Sequence, residues 1–217
     1  MKLAVGWMAA GVIAMVWVLS FPARAEVATL SAAKDNTLYE DPGGALSNGS
    51  GTHFFAGRVG AMGDGRIRRG LLAFDIAGAL PAGSRVISVE LSLRMSQTAT
   101  GQRPVQLRKL LSDWGEGTSE AGGGEGAGTD AEPGDATWIQ RFHDPNAPVL
   151  WTSPGGDFSA TTSAVLSIES EGRYSWGPTP GMIADVQDWL DQPASNFGWA
   201  LIGSENIPMT AKRFDSH

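Results

Sequence analysis

Alternation of apolar and polar residues dominates the chain and predicts β-strands. Between positions 87 and 95 every odd position is isoleucine, valine, leucine or methionine, while the positions between them are serine, glutamate or arginine. A period of two is typical of a strand with one buried and one solvated face in an antiparallel sheet. Further strand candidates are 52–59, 72–76, 105–111, 164–168, 197–202 and 211–214.

One stretch has a helical period instead. Its apolar residues fall on one face of a helix, and they are Met182, Ile183, Val186, Trp189 and Leu190. Pro193 follows as the predicted end of this helix. Turn residues such as Pro81–Ser84 separate the strands. We therefore predict an all-β fold, a single antiparallel two-sheet β-sandwich of jelly-roll-like form with one short helix.

The first 25 residues have the pattern of an export signal. Lys2 supplies a positive start, positions 3–19 are almost wholly apolar and uncharged, and an Ala-x-Ala spacing ends at Ala25. We predict cleavage before Glu26, which leaves residues 26–217 as one exported domain, secreted or periplasmic and without a membrane contact. An uncleaved anchor is the alternative, because the apolar run approaches the ~18–20 residues that span a bilayer.

Charge and cysteine content exclude several classes of function. The chain has 16 basic and 23 acidic residues and a net charge of −7 at pH 7, which argues against binding to nucleic-acid phosphates. It has no cysteine, so disulfides, thiolate metal sites and cysteine nucleophiles are excluded. Hydrophobic residues make up 42% of the chain, enough for a packed core. We expect the domain to be a monomer.

Residues 115–134 interrupt the pattern, and we call them the glycine-rich segment. They include eight glycines, four glutamates and one aspartate, with no aromatic or large aliphatic side chain. Because nothing in this segment is apolar enough to repay burial, we predict a mobile, solvated surface loop. A calcium loop is the alternative, since Ca²⁺ prefers carboxylate and carbonyl oxygens, but the spacing matches no known calcium motif.

The sequence gives little support to an enzyme. It contains no G-x-S-x-G, no phosphate-binding loop and no H-E-x-x-H, and it has three histidines. A pair of carboxylates at glycosidase spacing carries no weight when 23 acidic residues are present. We therefore predict no catalytic residues and no required cofactor.

Aromatic and arginine side chains are the candidate ligand contacts. Trp151, Tyr174 and Trp176 are the aromatics that we expect to be exposed, and an exposed aromatic face suits stacking against a sugar ring. Arg66 and Arg68 would share one face of a strand, where guanidinium groups could pair with uronate carboxylates. Packing of the aromatics in the core and pairing of the arginines with nearby acids are the alternatives.

A structural cation is conceivable where the terminal strands meet. Asp35 lies near the first strand of the exported domain and Asp215 lies in the last. If these strands are neighbours, the two carboxylates could hold calcium.

Several short segments in order resemble the exported DNRLRE-domain family, also called disaggregatase-related repeats. The segments are RGLLAFDI at 69–76, LPAGSRVISVELSL at 80–93, DWGE at 113–116, ATW at 136–138, DVQDWL at 185–190 and NFGWAL at 196–201. The family is grouped with carbohydrate-binding modules, family ninety-six. The resemblance implies a secreted β-sandwich that binds glycans without catalysis.

Three hypotheses about function follow. The first is a secreted domain that binds a polysaccharide or cell-surface glycan through aromatic and arginine side chains. The second is a structural or adhesive domain that contacts other proteins, and it predicts a contiguous exposed apolar patch. The third is a polysaccharide hydrolase or lyase, which needs converging carboxylates or a Tyr/His pair in a deep cleft.

Overall fold

The computed structural model describes residues 1–8, 25–63 and 65–217. Strands account for 41% of it and helices for 11%. In chain order the strands are β1 Lys2–Met8, β2 Ala25–Leu30, β3 Lys34–Tyr39, β4 Leu46–Ser47, β5 His53–Arg58, β6 Ile67–Ala73, β7 Arg85–Thr98, β8 Arg103–Lys109, β9 Thr129–Asp130, β10 Gln140–Phe142, β11 Val149–Leu150, β12 Ala164–Ile168, β13 Gly172–Trp176, β14 Trp199–Ile202 and β15 Lys212–Asp215. The helices are α1 Ile76–Ala79 and α2 Pro180–Asp191, with short 3-10 helices at Ala61–Gly63 and Pro193–Ser195.

Eleven strands form one large, curled antiparallel sheet. Its order is β12-β8-β14-β6-β5-β15-β7-β1-β2, with β3 also paired to β6 and β13 also paired to β7. Strand β5 joins the two halves, because residues 53–56 pair with β15 whereas Gly57 and Arg58 pair with β6. Gly57 has φ of 120°, and an added Cβ would lie 2.6 Å from the Thr210 carbonyl oxygen, so this junction requires glycine. The prediction of a mostly β, antiparallel fold is confirmed.

Both halves of the sheet contribute to one apolar core. Phe54 of β5, Leu72 of β6 and Leu91 of β7 belong to the same buried cluster. In β7 the odd positions from Val89 to Met95 are buried, as the period of two predicts. Ile87 is the exception at 37% exposure. Ile87 lies at a β-bulge, because Gly6 of β1 pairs with Ser88 and the next residue, Trp7, pairs with Val86, so that Ile87 has no partner. The bulge reverses the alternation, and Val86 is buried in place of Ile87.

Helix α2 agrees with its sequence pattern. The Thr179 side chain caps its first turn by accepting a hydrogen bond from the Met182 amide at 3.1 Å, and Pro180 occupies the first turn. Met182, Val186, Trp189 and Leu190 are buried. The Trp189 ring meets Trp199 of β14 edge-on, with ring centroids 4.6 Å apart. The predicted helix and its inward face are confirmed.

Part of the predicted export signal lies within the described residues. Strand β1 is hydrogen-bonded between β7 and β2, and its Leu3 and Val5 are fully buried in the core. Positions 9–24, which include the rest of the apolar run, lie outside the described residues. Within the described part of the chain, no helix has the length and apolar character needed to cross a membrane. Cleavage before Glu26 stays a prediction.

Candidate functional site

Three surface cavities of about 380–450 Å³ each share lining residues and are therefore neighbours. All three are lined by Val59, so we call the feature the Val59 groove. One wall is residues 122–127 of the glycine-rich segment, and the opposite wall is the turn at 60–62. Phe55 of β5 and Ala211, just before β15, line the groove between these walls.

The turn that forms one wall belongs to the hairpin between β5 and β6. The Val59 amide donates to the Arg66 carbonyl at 2.9 Å, and the Gly65 amide donates to the Gly60 carbonyl at 3.0 Å. The intervening turn carries Met62, whose side chain is fully exposed. The groove therefore has an apolar rim on this side.

The opposite wall is held in place by Glu125. Its carboxylate accepts hydrogen bonds from the Thr52 hydroxyl at 2.6 Å, from the Asn48 amide group and the His53 backbone amide at 2.9 Å each, and it lies 3.0 Å from His53 Nδ1. Tyr39 donates to the Glu125 carbonyl at 2.9 Å. The prediction that nothing in the glycine-rich segment could be buried is wrong, since Glu125 and Ser119 are both buried. Hydrogen bonds, not apolar contacts, offset the cost of their burial.

The environment of Glu125 favours its ionised form. Burial raises the pKa of this carboxyl, but the hydrogen bonds from Thr52, Asn48 and His53 outweigh burial and hold the pKa below its ordinary value. These contacts hold the carboxylate against the strand and turn beneath it. Glu125 is the one acidic residue among the described residues that line the Val59 groove.

Three arginines line the groove. Arg213 lies in the part formed with Gln97 and Thr98, and Arg66 and Arg68 lie in the part formed with Leu46 and Met62. Guanidinium groups therefore outnumber carboxylates in the groove of a chain whose net charge is −7. Such a groove suits an anionic ligand.

The arginines differ in how firmly they are held. Arg68 is buried, its guanidinium carbon lies 4.7 Å from the Tyr39 ring centroid, and its Nε donates to the Gly126 carbonyl at 3.1 Å. Burial lowers the pKa of Arg68. Arg213 Nε donates to the Ser96 hydroxyl at 3.1 Å, and Arg66 donates to Asp41 at 3.1 Å. Arg66 and Arg213 are half-buried, so part of each side chain is accessible from the solvent.

The predicted aromatic contacts lie elsewhere. Trp151 is buried and its indole N–H donates to the Thr137 carbonyl at 2.8 Å. Tyr174 and Trp176 share one face of β13 as their spacing predicts, but this face packs against the core: Trp176 is buried with its N–H on the Val105 carbonyl, and Tyr174 is half-buried. The expectation that Trp151 and Trp176 are exposed is wrong, so neither indole offers a face for stacking.

The two candidate cation ligands do not meet. Asp215 is 3.2 Å from Arg94 Nε and 3.9 Å from His53 Nε2. Strand β3 pairs with β6, whereas β15 pairs with β5 and β7, so the strands that carry Asp35 and Asp215 are not paired with each other. Asp35 instead contacts Ser216 and His217, which follow Asp215 in the chain.

Comparison with known proteins adds no assignment. No family model matches the chain, and no curated protein is similar to it. The resemblance to the DNRLRE-domain family therefore stays a prediction. The sequence predicts Arg66 and Arg68 as ligand contacts, and both line the groove. The sequence does not indicate Arg213 and Gln97, which reach the groove because β15 pairs with the end of β7, Arg213 opposite Gln97.

Proposed function

We propose that the protein is an exported, non-catalytic β-sandwich domain that binds acidic polysaccharide in the Val59 groove. The observation that carries this proposal is the set of three arginines, Arg66, Arg68 and Arg213, which line one groove of an acidic protein. Guanidinium groups form paired hydrogen bonds with carboxylates, and uronic acids present a carboxylate on each sugar. Gln97 and Thr98 supply polar groups for sugar hydroxyls.

A glycan array probed with the purified protein tests this proposal. We expect selective binding to uronate polymers over neutral polysaccharides. Binding should weaken as salt is raised, since part of the attraction is between exposed charges. Equal binding of neutral and acidic glycans would contradict the role of the arginines.

Two substitutions and one control locate the site. Arg213→Ala and Arg66→Ala should each weaken binding about tenfold, as loss of one charge-assisted hydrogen bond implies. Arg85→Ala is the matched control, because Arg85 is exposed at the other end of β7, about 40 Å along the strand from Gln97. A control that weakens binding as much as the two groove variants would place the contact outside the groove.

One observation favours a second candidate function, a structural or adhesive domain that contacts another protein. Met62 is fully exposed, Met209 is 56% exposed, and both line the apolar part of the groove with Val59 and alanines. Exposed methionines are common at protein-binding surfaces. Failure of the folded protein to bind any glycan would favour this alternative.

A further inference from the structure

Three segments that are distant in the chain bring potential metal ligands together. Asp35 is in β3, Glu116 is near the start of the glycine-rich segment, and His217 follows β15. His217 Nδ1 lies 2.7 Å from Asp35 Oδ2 and 4.0 Å from Glu116 Oε1. One ligand atom from each of the three residues lies within 4.8 Å of the others.

The carboxylate of Asp35 is buried, and its hydrogen bonds from the described residues reach one of its two oxygens. The residue is 1% exposed, and its Oδ2 accepts hydrogen bonds from the Ser216 hydroxyl and from His217. Within the described part of the chain, the hydrogen bonds to the Asp35 side chain all reach Oδ2, which leaves Oδ1 available to a further ligand. A cation would stabilise two carboxylates that are held this close together, one of them buried.

The positive charge of Lys34, next to the two carboxylates, is shared with a third carboxylate. Glu116 Oε1 accepts a hydrogen bond from the Asp35 amide at 2.8 Å, which holds the second carboxylate beside the first. The neighbouring ammonium of Lys34 is directed to Asp113, at 3.0 Å, and to the Trp114 carbonyl. Two carboxylates therefore face one imidazole.

We propose that Asp35, Glu116 and His217 bind a divalent first-row transition cation, with Zn²⁺ as the best fit. Zn²⁺ bonds to histidine nitrogen and carboxylate oxygen at about 2.0–2.2 Å, so two of its ligand atoms lie no more than about 4.3 Å apart. The separations of 2.7 and 4.0 Å lie within this distance, and all three ligand atoms lie within 4.8 Å of one another, so small side-chain shifts would complete the site. The imidazole disfavours Ca²⁺, which selects oxygen ligands in larger number. Water would complete the coordination.

The cation would connect three parts of the fold. It would join β3 to the start of the glycine-rich segment, 81 residues away, and to His217, 182 residues away. Metal binding to the folded state adds directly to its stability. In a chain without cysteine, such a site would do what a disulfide does in other exported proteins.

Titration of the purified, chelator-treated protein with ZnCl₂ tests the proposal. We expect one saturable site per chain by calorimetry. At about 100-fold excess over Kd the unfolding temperature should rise by about 5–10 °C. Co²⁺ in the same site should give the visible absorption of a low-coordinate nitrogen and oxygen site. A titration without saturable binding would overturn the proposal, and equal binding of Ca²⁺ would overturn the choice of metal.

Two substitutions of ligands and one control test the assignment of the site. Glu116→Gln and His217→Ala should each abolish the zinc-dependent rise in unfolding temperature and the Co²⁺ spectrum. Glu116→Gln keeps an oxygen for the Asp35 amide, and circular dichroism without metal confirms that each variant is folded. His143→Ala is the matched control, since His143 lies in another loop near Gln140, and it should bind Zn²⁺ as the unchanged protein does. Zinc binding that survives both ligand substitutions would overturn the site. None of its three residues lines the Val59 groove, so its failure leaves the glycan proposal unaffected.

Discussion

Two parts of the molecule's interior are stabilised by different kinds of side chain. The first is the apolar core, to which both halves of the curled sheet and helix α2 contribute. The second lies beneath the glycine-rich segment, and we call it the polar interior. Its buried residues are Asn36, Ser47, Asn48, Ser119, Glu125, Asp135 and Thr137.

In the polar interior each buried group has a specific partner. The Asn36 side chain donates to the Ser47 hydroxyl at 2.9 Å and to the Glu116 carbonyl at 2.8 Å. The Asn48 side chain donates to Glu125 and accepts from the Ala121 amide at 2.8 Å. The stability of the apolar core depends on the apolar area that is buried and the volume that is filled, and many residues contribute to both. The polar interior depends on matched pairs, so loss of one partner leaves the other buried without a hydrogen bond.

The largest expected effect comes from a cavity in the apolar core. Trp176→Ala removes a fully buried indole that meets Phe214 edge-on, and it leaves the Val105 carbonyl without its 3.0 Å hydrogen bond. We expect the free energy of unfolding to fall by about 3–5 kcal/mol in urea denaturation. Val165→Ala is the control, because Val165 is an exposed residue of β12, and it should change the free energy of unfolding by less than about 0.5 kcal/mol. Comparable losses in the two variants would mean that Trp176 is not a core residue.

A smaller but sharper effect is expected in the polar interior. Glu125→Gln conserves shape but replaces one acceptor oxygen by an NH₂ group, which then faces donors from Asn48, Thr52 or His53. We expect a loss of about 2 kcal/mol in the free energy of unfolding, measured in urea. Glu120→Gln is the matched control in the same segment, because Glu120 is exposed, and it should have almost no effect. If the two variants were equally stable, the hydrogen bonds of Glu125 would not hold the segment.

The apolar core is the interior that the sequence predicts well. Strand β7 and helix α2 show their periods over 14 and 12 residues, long enough for the buried face to be read directly. The local exceptions have local causes. Ile87 turns outward at a bulge that depends on the pairing with β1, and no pattern within β7 itself indicates it.

The polar interior and the groove could not be predicted in the same way. The composition of the glycine-rich segment predicts a solvated loop. The partners of Glu125 give no signal in the sequence, because Asn48 and Thr52 are 77 and 73 residues away in the chain. Trp151 lies in an irregular segment without a period, so its burial beside Thr137 left no signal. The Val59 groove likewise joins parts of four distant segments. Hydrogen-bond partners that meet only in the folded chain are decided by tertiary pairing, which residue spacing does not reveal.

The smallest predicted effect is a pH dependence of stability that Glu125 gives to the polar interior and that the apolar core lacks. The folded state holds the pKa of Glu125 below its ordinary value of 4.5, because the hydrogen bonds to its carboxylate outweigh burial. A lowered pKa stabilises the fold above the ordinary value, and this stabilisation is lost as the pH falls below 4.5 and through the folded-state pKa. Burial raises the pKa of Glu116, and the nearby Asp35 carboxylate raises it further. Glu116 therefore affects the pH dependence of stability in the opposite direction, so the stability curve of the unchanged protein alone would not show the effect of Glu125.

Subtraction of two stability curves isolates Glu125. The difference in free energy of unfolding between the unchanged protein and Glu125→Gln should shrink as the pH falls below 4.5. Glu116 is present in both proteins, so its contribution cancels. The difference in free energy of unfolding between the unchanged protein and Trp176→Ala should not shrink in this way, because this substitution removes no titrating group. A difference that stays constant to pH 3 would mean that the charge of Glu125 adds nothing, and that its hydrogen bonds act only through their geometry.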